Sequence, residues 1–441
     1  MKQYETYKDS GIEWLGKIPS HWTPISMKYY FYMKGRIGWQ GLKADEFISD
    51  GPYLVTGTDF DNGKVDWSRC YHISEERYAE APEIHVKEGD LLITKDGTVG
   101  KLAYVDYVPG KVSLNSHLLI LRPLTDSVSN HFMYWALQAN NFVHYTGLAQ
   151  SGSIMASLSQ EKIGDYKLAL PSLLEQRIIA TYLDNKVSQI DTVIAEKEKM
   201  IEDLQNYRKS IISEAVTRGL NTDVPMKDSG FEWIGMIPES WKVTRLKFIS
   251  DNFDGTHFSP ETKEEGMPYI TAGDVRGKGL DYDGAKKISY EDYCRLVEQG
   301  CKIEKNDVLI VKDGATTGRV GLMIDQTDCV ALSSVAMLRP HDDVDSLFLM
   351  YYMESYPMQT QITNSMAGSA MPRITLTKLN EFVINVPPLR EQIQIASFID
   401  QKIEQTDNVL AEIMNEISDL KAYKSSLITE AVTGKIDLRN E

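Results

Sequence analysis

Cysteine is scarce in this chain: Cys70, Cys294, Cys301 and Cys329 are the only four in 441 residues. They show no Cys-x-x-Cys spacing and no equivalent positions in the two halves, which argues against a disulfide framework or a zinc ribbon and for reduced thiols. The eight histidines are scattered, without His-Glu-x-x-His or i, i+4 pairs, so no metal site is expected. No apolar run approaches the roughly 18 residues of a membrane span, and Met1-Lys2-Gln3-Tyr4-Glu5 begins no apolar signal region, so a cytoplasmic protein is expected. Positive charge is in deficit, 47 Lys and Arg against 63 Asp and Glu, for a net charge of -16. Binding to a polyanion by this chain alone is therefore expected to be weak, although a local basic patch counts for more than the average. Missing too are a Gly-x-Ser-x-Gly elbow, an Asn-Pro-Pro-aromatic segment and a paired-carboxylate nuclease motif, so no enzyme activity is expected.

What is present is said twice. Lys8-Asp9-Ser10-Gly11, Glu13-Trp14, Gly16, Ile18-Pro19 and Trp22 recur 219 residues on as Lys227-Asp228-Ser229-Gly230, Glu232-Trp233, Gly235, Ile237-Pro238 and Trp241. Pro171, Leu173, Glu175-Gln176, Asp184, Asp191 and Glu214-Ala215-Val216-Thr217 return 216 residues later as Pro387, Leu389, Glu391-Gln392, Asp400, Asp407 and Glu430-Ala431-Val432-Thr433. Two tandem copies make an internal pseudo-dimer, a form suited to a partner with two half-sites, as duplex DNA offers. The expected segments are 1–170, 171–220, 221–385 and 386–441: a mixed module, a helix, a second module and a second helix.

The helices carry the clearest periodicity. Leu183, Val187, Ile190, Ile194, Lys197, Ile201, Leu204, Arg208, Ile211 and Ala215 step by four and three. Ile399, Ile403, Thr406, Leu410, Ile413, Ile417, Leu420, Lys424, Leu427 and Ala431 repeat the stripe. Such a stripe is a coiled-coil seam. Prolines 171 and 387 precede the helices and Gly219 and Gly434 end them. A helix over 175–217 would be about 60 Å long, so its natural partner is the other copy, paired antiparallel. Lys197, Thr406, Arg208 and Lys424 either set register as polar layers or mark places where the helices splay. The fold class is α+β, two mixed modules separated by two long antiparallel helices forming a coiled-coil spacer.

Between the repeated frameworks the loops diverge. Lys95-Asp96-Gly97-Thr98-Val99-Gly100-Lys101 and Lys312-Asp313-Gly314-Ala315-Thr316-Thr317-Gly318-Arg319 fail the spacing of a phosphate loop. They read as hairpin turns or as turns that present Lys95, Lys101, Lys312 and Arg319 to a DNA phosphate. Lys34, Arg36, Trp39, Gln40 and Lys43 lie in a Gly-rich basic loop, and Thr256, His257 and Lys263 in its counterpart. Arg, Gln, His and Thr are side-chain types that read base edges. Ser153, Ser369 and Arg373 lie in small-residue segments that permit close approach to a ligand.

The Lys-Asp-Ser-Gly-Ile-Glu-Trp-Leu-Gly-x-Ile-Pro-x-x-Trp run at 8–22, its copy at 227–241, and Leu170-Pro171-Ser172-Leu173-Leu174-Glu175-Gln176 with Val386-Pro387-Pro388-Leu389-Arg390-Glu391-Gln392 resemble the specificity subunits of type I restriction-modification systems over essentially the whole chain. The resemblance implies two target recognition domains, each reading one half of a split double-stranded DNA target, on a helical spacer. It also implies two methyltransferase (M) subunits holding S-adenosylmethionine and two ATP- and Mg-dependent motor-nuclease (R) subunits, with no cofactor in this chain. The competing expectation is a pseudo-dimeric coiled-coil scaffold that brings two proteins together without reading DNA.

Overall fold

The apolar run Leu91–Thr94 is buried inside an antiparallel sheet of four strands, in the order Leu102–Tyr104, Leu91–Thr94, Leu118–Pro123, Phe31–Lys34. A second sheet joins Val112–Leu114, Ile48–Val55 and Tyr71–His72, and Val55, Val112 and Leu114 share one core with Leu92 and Ile120 of the first. The second half rebuilds this arrangement with Ser250–Asp254, Val335–Pro340, Val308–Val311 and Val320–Leu322, and adds a fifth strand, Gly277–Lys278. Its smaller sheet holds Lys286–Ile288, Met267–Ile270 and Val330–Ala331. All four cysteines are free, and burial pushes the Cys329 thiol up to about 12.

The computed structural model describes residues 2–36, 42, 44–147, 158–366 and 373–440. They divide into two units, Met1–Lys197 with Asn415–Glu441, and Glu198–Met414. The long helices are Leu173–Arg218 and Leu389–Val432. Each unit therefore contains one sheet module, the N-terminal part of the helix that follows it, and the C-terminal part of the other long helix.

The sequence echoes are the contacts that close each unit. Trp22 Nε1 donates to Glu175 at 3.2 Å and Trp241 Nε1 to Glu391 at 3.1 Å. Gln176 is fully buried: its oxygen accepts from Ser129 N and its amide donates to Ser127 O and Pro171 O. Gln392 repeats all three bonds with Asp345, Asp343 and Pro387. These glutamines fasten each helix start to its sheet module by satisfying main-chain groups that burial would otherwise leave unpaired. Trp135 Nε1 donates to Asp184 and Tyr351 OH to Asp400, about two turns further along.

The helix ends are equally repeated. Gly219 and Gly434 take left-handed φ of 76° and 71°, the conformation that glycine adopts at a helix stop. A Cβ at Gly434 would lie 2.4 Å from Pro19 and 3.2 Å from Trp22, and one at Gly219 would lie 3.2 Å from Trp241. The tryptophan of each unit is thus covered by the glycine that ends the other repeat's helix. Asn140 N donates to Thr429 Oγ1 in the first unit, and Tyr356 N to Ser213 Oγ in the second.

Within each unit the two helix segments run antiparallel. In the first, Lys424 reaches Asp191 at 2.6 Å and Lys197 pairs with Glu416. In the second, Arg208 meets Asp407 at 2.9 Å, while Ile212 and Val216 share a core with Ile395 and Ile399. Residues 191 and 424 correspond to 407 and 208 under the repeat, so one ion pair is made once in each unit. Such exposed pairs add about 0–1 kcal/mol each; their role is register. Thr406 is buried and donates to Lys402 O instead.

Along the stripe, Leu183, Val187, Ile190, Ile194, Ile399, Ile413, Ile417 and Leu427 are buried, and Ile201, Leu204, Ile211, Ile403, Leu410 and Leu420 are half-buried. Near the end of the first helix the buried residue is Ile212 rather than Ile211; Ile212 packs in a core that joins the sheet module to Ile395 and Ile399 of the partner helix.

Candidate nucleic-acid interface

In the first unit, three turns converge where strands of the two sheets end. The Leu91–Thr94 and Leu102–Tyr104 strands form a hairpin, with Gly97 and Gly100 at positive φ. Thr94 Oγ1 ties the turn by accepting from Lys101 N at 2.9 Å. Lys95 N donates to His117 O, and Asn115 N to Val55 O, which brings in the turn at 115–117. The third turn is Thr56 to Asp59, where Asp59 accepts from both Thr56 N and Thr56 Oγ1. A Cβ on its Gly57 would lie 2.9 Å from Thr94.

Lys101, His117 and Thr58 are exposed here, and Lys95 is partly so. Asp96 stands 3.9 Å from Lys95 and 3.6 Å from His117. The turns therefore present an ammonium and an imidazole beside one carboxylate, with Lys101 exposed on the same hairpin. His117 was invisible to motif reading, although Asn115-Ser116-His117 between two apolar runs is a turn signal.

The second unit keeps the frame and cancels the charge. Lys312 N donates to Ser334 O as Lys95 does to His117 O, and Thr271 and Asp274 repeat the Thr56 and Asp59 bonds. Lys312, however, is almost completely buried and its ammonium meets Asp254 at 2.5 Å. By strand register Asp254 stands opposite Ala336, the place that Gly35 holds beside the Phe31–Lys34 strand in the first unit. Gly35 has no side chain to offer Lys95.

Three expectations are corrected by burial. Lys312 is an internal ion-pair partner and not a phosphate contact. Arg36 is 2% exposed, with Nε on Leu114 O at 2.8 Å and Nη2 on Ser113 Oγ at 2.9 Å. Burial pulls its pKa down, and those acceptors hold the guanidinium in the protein, where it braces the strand Val112–Leu114 and cannot reach a base. Thr256 is also buried, its hydroxyl accepting from Phe258 N at 3.0 Å; it shapes the loop.

Lys34 is exposed on an edge strand, and His257 and Lys263 are exposed. Arg373 is exposed and paired with Asp313 at 3.1 Å. Arg319 is half-buried in a groove of about 1400 Å³ that Arg208, Arg218 and Arg276 also line, with Glu214 and Glu354. Trp39, Gln40, Lys43, Ser153 and Ser369 lie outside the described residues. Among the described residues no cluster of three or more metal-ligating side chains occurs, and no helix is long and apolar enough to cross a membrane.

Both modules hold an Arg–Asp fork with a buried carboxylate at the other end of these strands from the turns. Asp90 accepts from Arg122 Nε and Nη2 at 2.7 Å, and Asp307 from Arg339 at 2.9 Å. Burial pushes the Asp307 carboxyl up while the Arg339 fork pulls it back. The two modules thus share a repeated scaffold and differ in the side chains their turns expose.

A family model described as the type I restriction modification DNA specificity domain matches residues 39–203 and 238–419. The chain belongs to this family. Curated relatives include the type I restriction enzyme EcoBI specificity subunit of Escherichia coli, 24% identical over 97% of this chain and 89% of that one. The MjaVIII specificity subunit of Methanocaldococcus jannaschii is 24% identical over 96% and 95%. Among solved structures, a chain from a study of assembly and conformational transition of the type I R-M system aligns with a TM-score of 0.71 at 16% identity, covering 95% of this chain and 99% of its own length. The HsdS subunit of Thermoanaerobacter tengcongensis aligns with a TM-score of 0.53 at 17% identity over 95% and 98%. The fold is that of a specificity subunit, with its repeated modules and two long helices.

The contrast between the two lysines gives a first expected result. Lys95→Gln should lower the salt dependence of DNA binding by about one phosphate contact, whereas Lys312→Gln should leave that slope unchanged and lower stability by leaving Asp254 half-buried without its cation. Equilibrium binding at several salt concentrations, with thermal melts of both variants, separates the two; equal slopes would show that Lys95 does not touch phosphate.

Proposed function

We propose that this chain reads a bipartite DNA target for a type I restriction-modification complex, each unit contacting one half-site and the paired helices setting the gap. The single observation that carries this reading is the repeated contact set, from Trp22–Glu175 and Gln176 to the Asp90–Arg122 fork, bearing turns whose exposed chemistry differs between the units. In this reading the chain is non-catalytic and cytoplasmic. S-adenosylmethionine belongs to two methyltransferase subunits, and ATP and Mg to two motor-nuclease subunits. Partners that hold much of the DNA account for a reader with a net charge of -16.

An exposed Val and Tyr recur on the helix segments of each unit, Val193 with Tyr423 and Val409 with Tyr207. Each precedes a seam position by one residue, so in an antiparallel pair both lie on the same side. Apolar side chains left in water at equivalent places fit one methyltransferase subunit docked per unit.

The test is modified-base sequencing of DNA from a methylation-free host expressing this chain with its methyltransferase subunit. A two-part asymmetric motif with methylated bases on both strands is expected. Carrying Tyr207→Glu and Tyr423→Glu together should abolish the methylation and the copurification of the methyltransferase while the chain keeps its melting temperature. Soluble, associated proteins that leave no motif would overturn the reading in favour of a scaffold.

A further inference from the structure

The loop after the Ser250–Asp254 strand is built more rigidly than a connecting loop requires. Gly255 packs flush on the neighbouring backbone, since a Cβ there would lie 2.1 Å from Leu332 O. Thr256 N donates to Ala331 O at 2.8 Å, and Thr256 O accepts from Ser333 N at 2.9 Å. Phe258 is fixed from both sides of its peptide, its N–H on Thr256 Oγ1 at 3.0 Å and its carbonyl accepting from Tyr269 OH at 3.2 Å. What this clamped segment presents outward is His257, 69% exposed at its side chain, and Phe258, 48% exposed.

Arg295, on the helix Tyr290–Glu298, lies over the Phe258 ring with its guanidinium carbon 4.3 Å from the ring centre. The nearby carboxylates are already engaged: Asp254 with Lys312 and, at 3.8 Å, with His257 itself, Asp292 with Arg295, and Glu261 with Lys263. Beside the loop is a cleft of about 450 Å³ lined by Phe253 to Phe258 and Gln299 to Cys301. A single exposed aromatic is ordinary on a protein surface. An exposed aromatic locked at the backbone, covered by a cation and flanked by an imidazole is a preorganised contact.

We propose that Phe258, with Arg295 over its ring and His257 beside it, is a base-contact point of the second unit, its ring packing on the 5-methyl group of a thymine in the major groove. This rests on the DNA-reading function above. An apolar side chain against the thymine methyl discriminates T·A from C·G without a hydrogen bond; Arg295, ion-paired with Asp292, holds the ring in place, and the exposed His257 has ring nitrogens to hydrogen-bond with the adjoining backbone. Phe258 went unselected in the sequence because Thr256 and His257 carry the polar groups that base reading favours. The hydroxyl of Thr256 is used inside the loop, and the exposed ring is visible only once the fold is built.

The experiment uses the complex of this chain with its methyltransferase subunits and synthetic duplexes of its motif, with each thymine replaced in turn by deoxyuridine, which removes only the methyl group. In the parent, one substitution should weaken binding about fourfold, the effect of one buried methyl. Phe258→Ala should bind the normal duplex about as weakly and lose nothing further at that position, while Phe258→Leu keeps part of the effect. A parent indifferent to every deoxyuridine, or a Phe258→Ala variant as sensitive as the parent, overturns the proposal. Loss of all sequence selectivity in the parent would instead overturn the DNA-reading function itself.

Discussion

Deleting Ile194–Met200 together with the facing heptad Asn415–Lys421 is expected to shorten the gap between the two DNA half-sites by about three base pairs without changing either half. Seven helical residues rise about 10 Å, and duplex DNA rises 3.4 Å per base pair. Both deletions are needed because the helices are registered in pairs: residues 191 with 424, 197 with 416 and 208 with 407. Removing Ile194–Met200 alone would take away Lys197 and slide one stripe past the other by two turns, so that variant should lose solubility or association with the methyltransferase. Seven residues also turn an α-helix to within about 20° of its starting direction, so each module keeps its facing. Three base pairs, by contrast, carry about a hundred degrees of DNA twist at roughly ten base pairs per turn. The expected modified-base pattern is therefore a shorter gap with slower methylation. An unchanged gap would show that the helices do not set the distance.

The parts of this architecture legible in the sequence are those in which both copies need the same side chain for the same contact. Trp22 and Trp241 each donate to a buried or half-buried glutamate at a helix start. Gln176 and Gln392 each make three bonds to main chain, and Asp191 and Asp407 each take a cation from the other helix. The stripe predicted antiparallel helices, and three of its polar breaks, Lys197, Arg208 and Lys424, make cross-helix ion pairs, while Thr406 is buried and bonds to its own helix. A further echo, Gly51-Pro52-Tyr53 with Gly266 and Pro268-Tyr269, was available and went unused. Both glycines have φ near 145° and lie against the carbonyl of Ile73 or Ile288.

The candidate site was less legible for a physical reason. Composition marks a lysine or arginine as a donor but does not say whether an acceptor waits inside the protein. Arg36 finds Leu114 O and Ser113 Oγ, distant in sequence, and Lys312 finds Asp254 across the sheet. Lys95, at the equivalent place in the first unit, has Gly35 where Lys312 has Asp254. Which of two equivalent lysines is presented to solvent is decided by one side chain on the next strand but one, and divergent loops hide that pairing from any alignment of the halves.

Trp22→Ala is expected to destabilise the first unit by about 3–5 kcal/mol, the range for removing a fully buried large aromatic. Trp22 has no exposed surface, and three contacts depend on it. It donates to Glu175, which also accepts from Tyr4 OH at 2.6 Å; it stacks edge-on against Tyr4; and it receives Gly434 where the second helix stops. Losing the ring opens a cavity at the place where the start of one helix and the end of the other meet the N-terminal segment. In a unit of this size such a loss corresponds to a fall in melting temperature of roughly 6–20 °C. Trp22→Phe should keep most of the packing and lose the bond to Glu175, about 1.5–3 kcal/mol for a partner that is charged. Trp241→Ala should act in the same way on the second unit, because Trp241 is as deeply buried and holds Glu391 and Gly219 alike. If the units melt separately, calorimetry of the two variants will show the lower-temperature transition moving with a different unit in each. A Trp22→Ala chain that melts with the parent would mean that the repeated tryptophan is not what closes the unit, and that Gln176 and the apolar contacts beneath it hold the helix start by themselves.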